Sequence, residues 1–149
     1  MSRSGYTDEC DDNWQQICWR GAVKAAIKGK RGQAFLRELA AAMDAMPDKR
    51  LTEGALEADG EVCALGAIGR ARGIELSKLD IDWDAWDWAP LAQAFGISEA
   101  LAREIMYHND EYSISWWQKK ERDKDHGPAR WKYMRKWIDE QLAVAPSQA

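Results

Sequence analysis

Apolar residues recur along this chain mostly at helical spacing. From Asn13, the positions Ile17, Cys18, Val23 and Ile27 mark a first helix that Gly29 stops. A second helix is predicted from about Lys30 to Met46, with Phe35, Leu36, Leu39, Met43 and Met46 on one stripe and Arg37, Glu38 and Asp44 facing away. Pro47 ends it, because the residue before a proline disfavours helix. The period is lost between Asp48 and Glu61, where Leu51, Thr52, Ala55 and Leu56 suit a short extended piece or a helical turn. Asp59-Gly60 is a turn signal. Glu61 to Arg72 reads as a short helix with Val62, Leu65 and Ile68 as its stripe, a smooth face of Ala64, Gly66, Ala67 and Gly69, and Gly73 as C-cap.

Pro90 suits the first turn of a helix carrying Leu91, Ala94 and Phe95. Gly96 breaks that helix, and Ser98 caps the next, which runs through Leu101 and Ile105 to about His108 and ends at Asn109-Asp110. Residues 113–129 read as loop. A last helix spans about Pro128 to Val144, with Trp131, Met134, Ile138 and Leu142 on one side. No internal repeat and no hairpin stands out. The pattern predicts an all-α fold, a single compact domain of five or six short helices over residues 13–144, with at most a minor extended segment near 50–58. Residues 1–12 read as a loose arm and 145–149 as a tail.

Composition narrows the function classes. The 149 residues suit one domain with a real core. A net charge of −4 argues against a wholesale nucleic-acid coat protein but permits a local basic patch. The chain has no apolar run of membrane-spanning length, and MSRSGYTDECDDNW has no signal-peptide core. Three cysteines (Cys10, Cys18, Cys63) and two histidines (His108, His126) give neither a disulfide framework nor a metal cluster. The expectation is a cytoplasmic protein with no metal, no cofactor and no membrane partner.

Cys63 sits near the start of a predicted helix, where a thiolate is stabilised. A nucleophilic cysteine also needs a base and an orienting group, and His108 with Asn109 or Asp110 supplies them on paper. Val62, Ala64 and Leu65 around it favour a small buried hydrophobe instead. The stretch LAQAFGISEALAREI (91–105) has helix-turn-helix spacing. Its second half carries Glu99 and Glu104 against Arg103, which counts against reading a DNA groove.

Nine tryptophans in this length is the compositional outlier, and a core of this size absorbs about half of them. In LDIDWDAWDWAP, Asp82, Trp83, Asp84, Trp86, Asp87 and Trp88 interleave carboxylates with indoles. Two readings stay open for it: a surface that docks on a basic partner, or a capping loop with tucked indoles. The segment lacks the glycine and terminal glutamate of a calcium loop. Trp116-Trp117 extends the aromatic surface.

Two stretches are basic. Residues 20–37 hold Arg20, Lys24, Lys28, Lys30, Arg31 and Arg37 with no acid. Residues 119–136 hold eight bases against Glu121, Asp123 and Asp125. Arg130, Trp131, Lys132, Arg135 and Trp137 together suit phosphate or a stacked base, and Lys136 joins Arg130, Lys132 and Arg135 among the residues expected to bind a partner.

The segments RGQAFLRELAAAMDAMPDKRL, LTEGALEADGEVCALGAIGRARG, REIMYHNDE and RWKYMRKWI resemble a family of small uncharacterised proteins encoded by bacteriophages and prophages. The middle part also resembles a broader bacterial family that pairs Asp-Gly and Cys-Ala-Leu-Gly-Ala with a later Asn-Asp. The resemblance covers roughly residues 29–73 and 103–142. It implies a small accessory protein that binds host machinery or counteracts host defence without catalysis, as anti-CRISPR-like inhibitors do. The partner it implies is a host protein or protein–nucleic-acid complex. Direct nucleic-acid binding by a helix-turn-helix regulator and a Cys63-dependent hydrolase or transferase stay open as alternatives. The resemblance also implies that Asn109 and Asp110 bridge backbone groups of the 48–61 loop, with Gly66 and Gly69 allowing close contact and Thr52, Cys63, Asn109 and Asp110 sharing one corner.

Overall fold

The structure is a computed structural model that describes residues 13–79, 88–111 and 125–144. Among these residues six α-helices carry nearly all the regular structure: α1 (Asn13–Lys28), α2 (Lys30–Asp44), α3 (Ala64–Ala71), α4 (Ala89–Phe95), α5 (Glu99–Glu111) and α6 (Gly127–Val144). The all-α expectation holds. Two helices organise the rest, since α2 packs on α1, α3 and α6 while α5 packs on α1, α3, α4 and α6.

The stripe on α2 explains its central place. Phe35, Leu36, Leu39 and Met43 are buried as the period predicts, and Gly32, Gln33, Ala40 and Ala42 join them. Phe95 of α4 meets Phe35 edge-on, with ring centroids 6.2 Å apart. The turn from α1 into α2 is tight. A Cβ on Gly32 would fall 1.8 Å from the Ala26 carbonyl oxygen, so only glycine lets the two helices meet there. Val23 and Ile27 of α1 point inward, but Ile17 and Cys18 do not; Ile17 is 62% exposed.

The hairpin missing from the sequence reading is present. A two-residue strand β1 (Glu57–Ala58) pairs antiparallel with β2 (Glu61–Val62), with Glu57 opposite Val62 and Ala58 opposite Glu61. Asp59 and Gly60 both have positive φ, 53° and 81°, as a two-residue primed turn requires. Strand pairing claims Glu61 and Val62, so α3 starts at Ala64 and not at Glu61. Strands this short show no alternation, and only their turn was visible. At the other boundaries, Gly96 closes α4 in the left-handed region at φ 69°, and the Ser98 hydroxyl accepts from the Leu101 amide at 3.1 Å to start α5.

Six consecutive residues of α3, Ala64 to Gly69, are buried, so this short helix is the floor of the core. Its glycines divide their work. Gly66 faces the 48–61 loop, where a Cβ would lie 2.1 Å from the Leu56 carbonyl oxygen. Gly69 instead faces Leu76 and Phe95. Gly66→Ala is therefore expected to destabilise by about 1–3 kcal/mol, as overpacking against backbone does. Gly21 of α1 has nothing within 4 Å of its Cβ position, so Gly21→Ala is expected to stabilise by up to about 1 kcal/mol through helix propensity. Urea unfolding of the two variants checks the pair; equal effects would contradict the packing described for Gly66.

Candidate functional site

One corner of the molecule gathers Thr52, Cys63, Asn109 and Asp110. The loop at 51–56 has almost no regular structure, so its backbone groups need partners elsewhere. The Leu51 amide donates to the Gly127 carbonyl at 3.1 Å, the Thr52 amide to Val62 at 2.8 Å, and the Cys63 amide to Leu56 at 3.1 Å. Asn109 supplies what remains. Its Oδ1 accepts from the Ala64 amide at 3.0 Å, and its Nδ2 donates to the Thr52 carbonyl at 2.9 Å and to Asp110 Oδ1 at 2.8 Å. Asp110 Oδ1 also accepts from the Gly54 amide at 3.4 Å. Asn109 is fully buried at 0% exposure. Thr52, Cys63, Asn109 and Asp110 thus share one corner through these backbone bridges.

Cys63 caps α3. It has extended backbone angles, and its Sγ accepts from the Gly66 amide at 3.4 Å. The side chain is 0% exposed, so no substrate reaches it in this conformation. His108 lies on the same helix as Asn109 but turns elsewhere. Its Nδ1 is 2.8 Å from the Tyr133 hydroxyl and its Nε2 is 3.0 Å from Glu104 Oε1. The ring stacks on Trp137 with centroids 4.7 Å apart. Burial raises the Tyr133 phenol pKa, which makes it a poorer nucleophile. Arg20 of α1 reaches Glu104 at 3.0 Å and 3.2 Å. The Arg20–Glu104–His108–Tyr133 chain ties α1, α5 and α6 together. Cys63 and His108 are therefore engaged separately, and the cysteine–histidine pairing proposed on spacing is not assembled.

The residues expected to bind a partner divide. Trp88 is a core residue at 2% exposure, not a surface indole. Arg130 is likewise buried at 4%; its Nε donates to the Asn109 carbonyl at 2.7 Å and its Nη2 meets Glu53 at 3.1 Å. Burial of a guanidinium is tolerable because both groups pair it. Arg135 bridges Asp44 at 2.8 Å and Asp139 at 2.7 Å. The Arg135 hydrogen bond holds the Asp44 carboxyl below its usual pKa, and the Asp44 hydrogen bond raises the guanidinium's. Lys132 and Lys136 are exposed. The six bases and aromatics of α6 therefore do not converge on one phosphate or base. Asp82, Trp83, Asp84, Trp86, Asp87, Trp116 and Trp117 lie outside the described residues.

The helix-turn-helix reading meets an obstacle of charge. Ala100, Leu101, Ala102, Glu104, Ile105 and Met106 of α5 are buried, and its accessible face carries Glu99 and Asp110 against Arg103, a charge balance that does not suit a DNA groove. A groove of about 330 Å³ opens between the end of α2, the hairpin and α3, with an apolar lining that includes Met46, Val62 and Ala67. Its rim arginines are already paired, Arg50 with Glu61 and Asp125 and Arg70 with Glu57.

The feature left with unspent charge is the α1–α2 elbow. Lys24, Lys28, Lys30, Arg31 and Arg37 are all exposed and make no ion pair among the described residues. The sequence reading noted this basic stretch but placed no site there. Its signal was the complete absence of acids from residue 20 to residue 37. Comparison with protein-family models, curated proteins and solved structures finds no match to this chain.

The burial of Cys63 carries a direct prediction. A thiol reagent is expected to label Cys18, which is exposed, and to leave Cys63 unmodified until the protein unfolds. Peptide mapping reads both sites. Labelling of Cys63 in the native protein at the rate of Cys18 would mean that the α3 cap opens and would revive a nucleophilic role.

Proposed function

We propose that this protein acts without catalysis, by binding an anionic macromolecular surface of a host cell through the α1–α2 elbow. The observation that carries the reading is the set of five exposed bases, Lys24, Lys28, Lys30, Arg31 and Arg37, that make no ion pair among the described residues, in a stretch without a single acid. Elsewhere on the described surface the arginines are consumed by partners, at Glu38, Glu53, Glu57, Asp44 and Asp125. Exposed basic charge concentrated in one stretch of a net acidic chain steers and orients an anionic partner. The likeness of several segments to phage-encoded proteins supports a role as an accessory factor directed at host machinery, host defence included. The sealed Cys63 and the charge balance on the accessible face of α5 weigh against the hydrolase and helix-turn-helix alternatives.

The test is capture from a bacterial lysate by the immobilised full chain. The wild type is compared with Lys24→Glu/Lys28→Glu/Arg31→Glu and with Lys132→Glu/Lys136→Glu. The elbow variant is expected to lose the retained macromolecule, whether protein or nucleic acid, and the α6 variant to keep it. Equal retention by all three proteins would remove the elbow from the function.

A further inference from the structure

We infer that the partner of the elbow is the phosphate backbone of double-stranded DNA, held without base reading. The inference rests on the elbow being the docking surface and names what it docks on. Arg20, Lys24 and Lys28 recur every four residues on α1, which spaces them about 6 Å apart along one flank of the helix. After Gly29, the exposed Lys30, Arg31 and Arg37 carry the positive surface onto α2. Gly21, Ala22 and Ala25 are exposed on α1, so no bulky side chain stands between a phosphate strand and the lysines.

Among the described residues, the acids near the elbow are already paired. The C-terminal part of α6 reaches α2 near the elbow, where Gln33 Nε2 lies 3.5 Å from the Gln141 carbonyl. The carboxylates there are occupied, Asp139 by Arg135 at 2.7 Å and Glu140 facing Lys136 at 3.9 Å. Glu104 takes Arg20 at 3.0 Å and is itself buried. Five cations therefore remain for a partner.

Two observations among the described residues favour duplex DNA over other polyanions. Tight protein interfaces rest on a few buried aromatic or aliphatic anchors, and Ile17 is the one large hydrophobic residue exposed among the described side chains, which on α1 begin at Ile17. Single strands are held by stacking on exposed aromatic rings, but Trp19 is half-buried with the Arg103 guanidinium 4.5 Å over its ring. Exposed charge without such anchors or stacking rings among the described side chains fits sequence-independent duplex binding. The accessible face of α5, with Glu99 and Asp110 against Arg103, does not suit base reading in a groove.

Fluorescence anisotropy on a labelled duplex of about 20 base pairs tests this. Four or five phosphate contacts predict a plot of log affinity against log salt with a slope of about −4. Lys24→Gln/Lys28→Gln is expected to reduce the slope by about 2, with an unchanged unfolding midpoint. Lys132→Gln/Lys136→Gln is expected to leave the slope unchanged, and shuffling the duplex sequence should shift affinity by less than about threefold. A flat salt dependence, tighter binding to the corresponding single strand, or capture of polyglutamate in place of the duplex would each overturn the inference. If the duplex fails to bind while the elbow variant still loses its lysate partner, the docking surface stands and the DNA assignment falls.

Discussion

The amide side chain of Asn109 is the interaction on which the rest of this structure depends. It stands where four pieces of chain meet: the end of α5, the first turn of α3, the irregular loop after residue 50, and the start of α6. Its carbonyl oxygen satisfies an amide at the N-terminus of α3, and its NH₂ satisfies a loop carbonyl. Its own backbone carbonyl anchors the buried Arg130. A buried donor or acceptor left unmade costs about 1–3 kcal/mol. Asparagine carries an acceptor oxygen and a donor nitrogen on separate atoms without charge, and on a shorter stem than glutamine. Aspartate at this position would turn a carboxylate oxygen toward the Thr52 carbonyl and Asp110, and leucine would satisfy neither backbone group.

That clamp bears on the surface as well. Because Asn109 and Asp110 meet the needs of the loop, α3 can lie flat beneath the core with Gly66 against the Leu56 carbonyl. Because Arg130 is drawn inward, α6 presents only Lys132 and Lys136 as exposed bases among those expected to bind a partner. The Glu104–His108–Tyr133 chain takes Arg20 from α1 in the same way. Interior polar demand thus takes Arg130 of the C-terminal helix and Arg20 of α1, while Lys24, Lys28, Lys30, Arg31 and Arg37 stay exposed. The proposed docking face is what remains once the inside has been satisfied.

Much of this was legible in the chain as written. Long stripes at Phe35–Leu39–Met43 and Leu101–Ile105 announce their helices because burial imposes the helical period. Gly29, Gly96 and Ser98 announce boundaries through backbone chemistry that acts locally. What escaped depends on partners far along the chain. Glu104 looks like a solvated acid until Arg20, 84 positions away, is seen beside it. Arg130 and Trp88 look like surface residues by type, and burial of either depends on neighbours that local spacing does not encode. The hairpin escaped because two-residue strands have no period to detect. The Asn109 corner was anticipated only through the resemblance, and periodicity had marked that residue merely as a helix end.

Amide hydrogen exchange at Ala64 tests the central claim most directly. The first amide of a helix normally lacks an intrahelical acceptor, and here Asn109 Oδ1 provides one. In the wild type, Ala64 is expected to exchange as slowly as Ile68 in the middle of α3. In Asn109→Ala, Ala64 should exchange at least about tenfold faster relative to Ile68, the rate equivalent of roughly 1.4 kcal/mol for one lost buried hydrogen bond. An unchanged ratio of the two rates would contradict the account, since it would mean that α3 is held in place without Asn109.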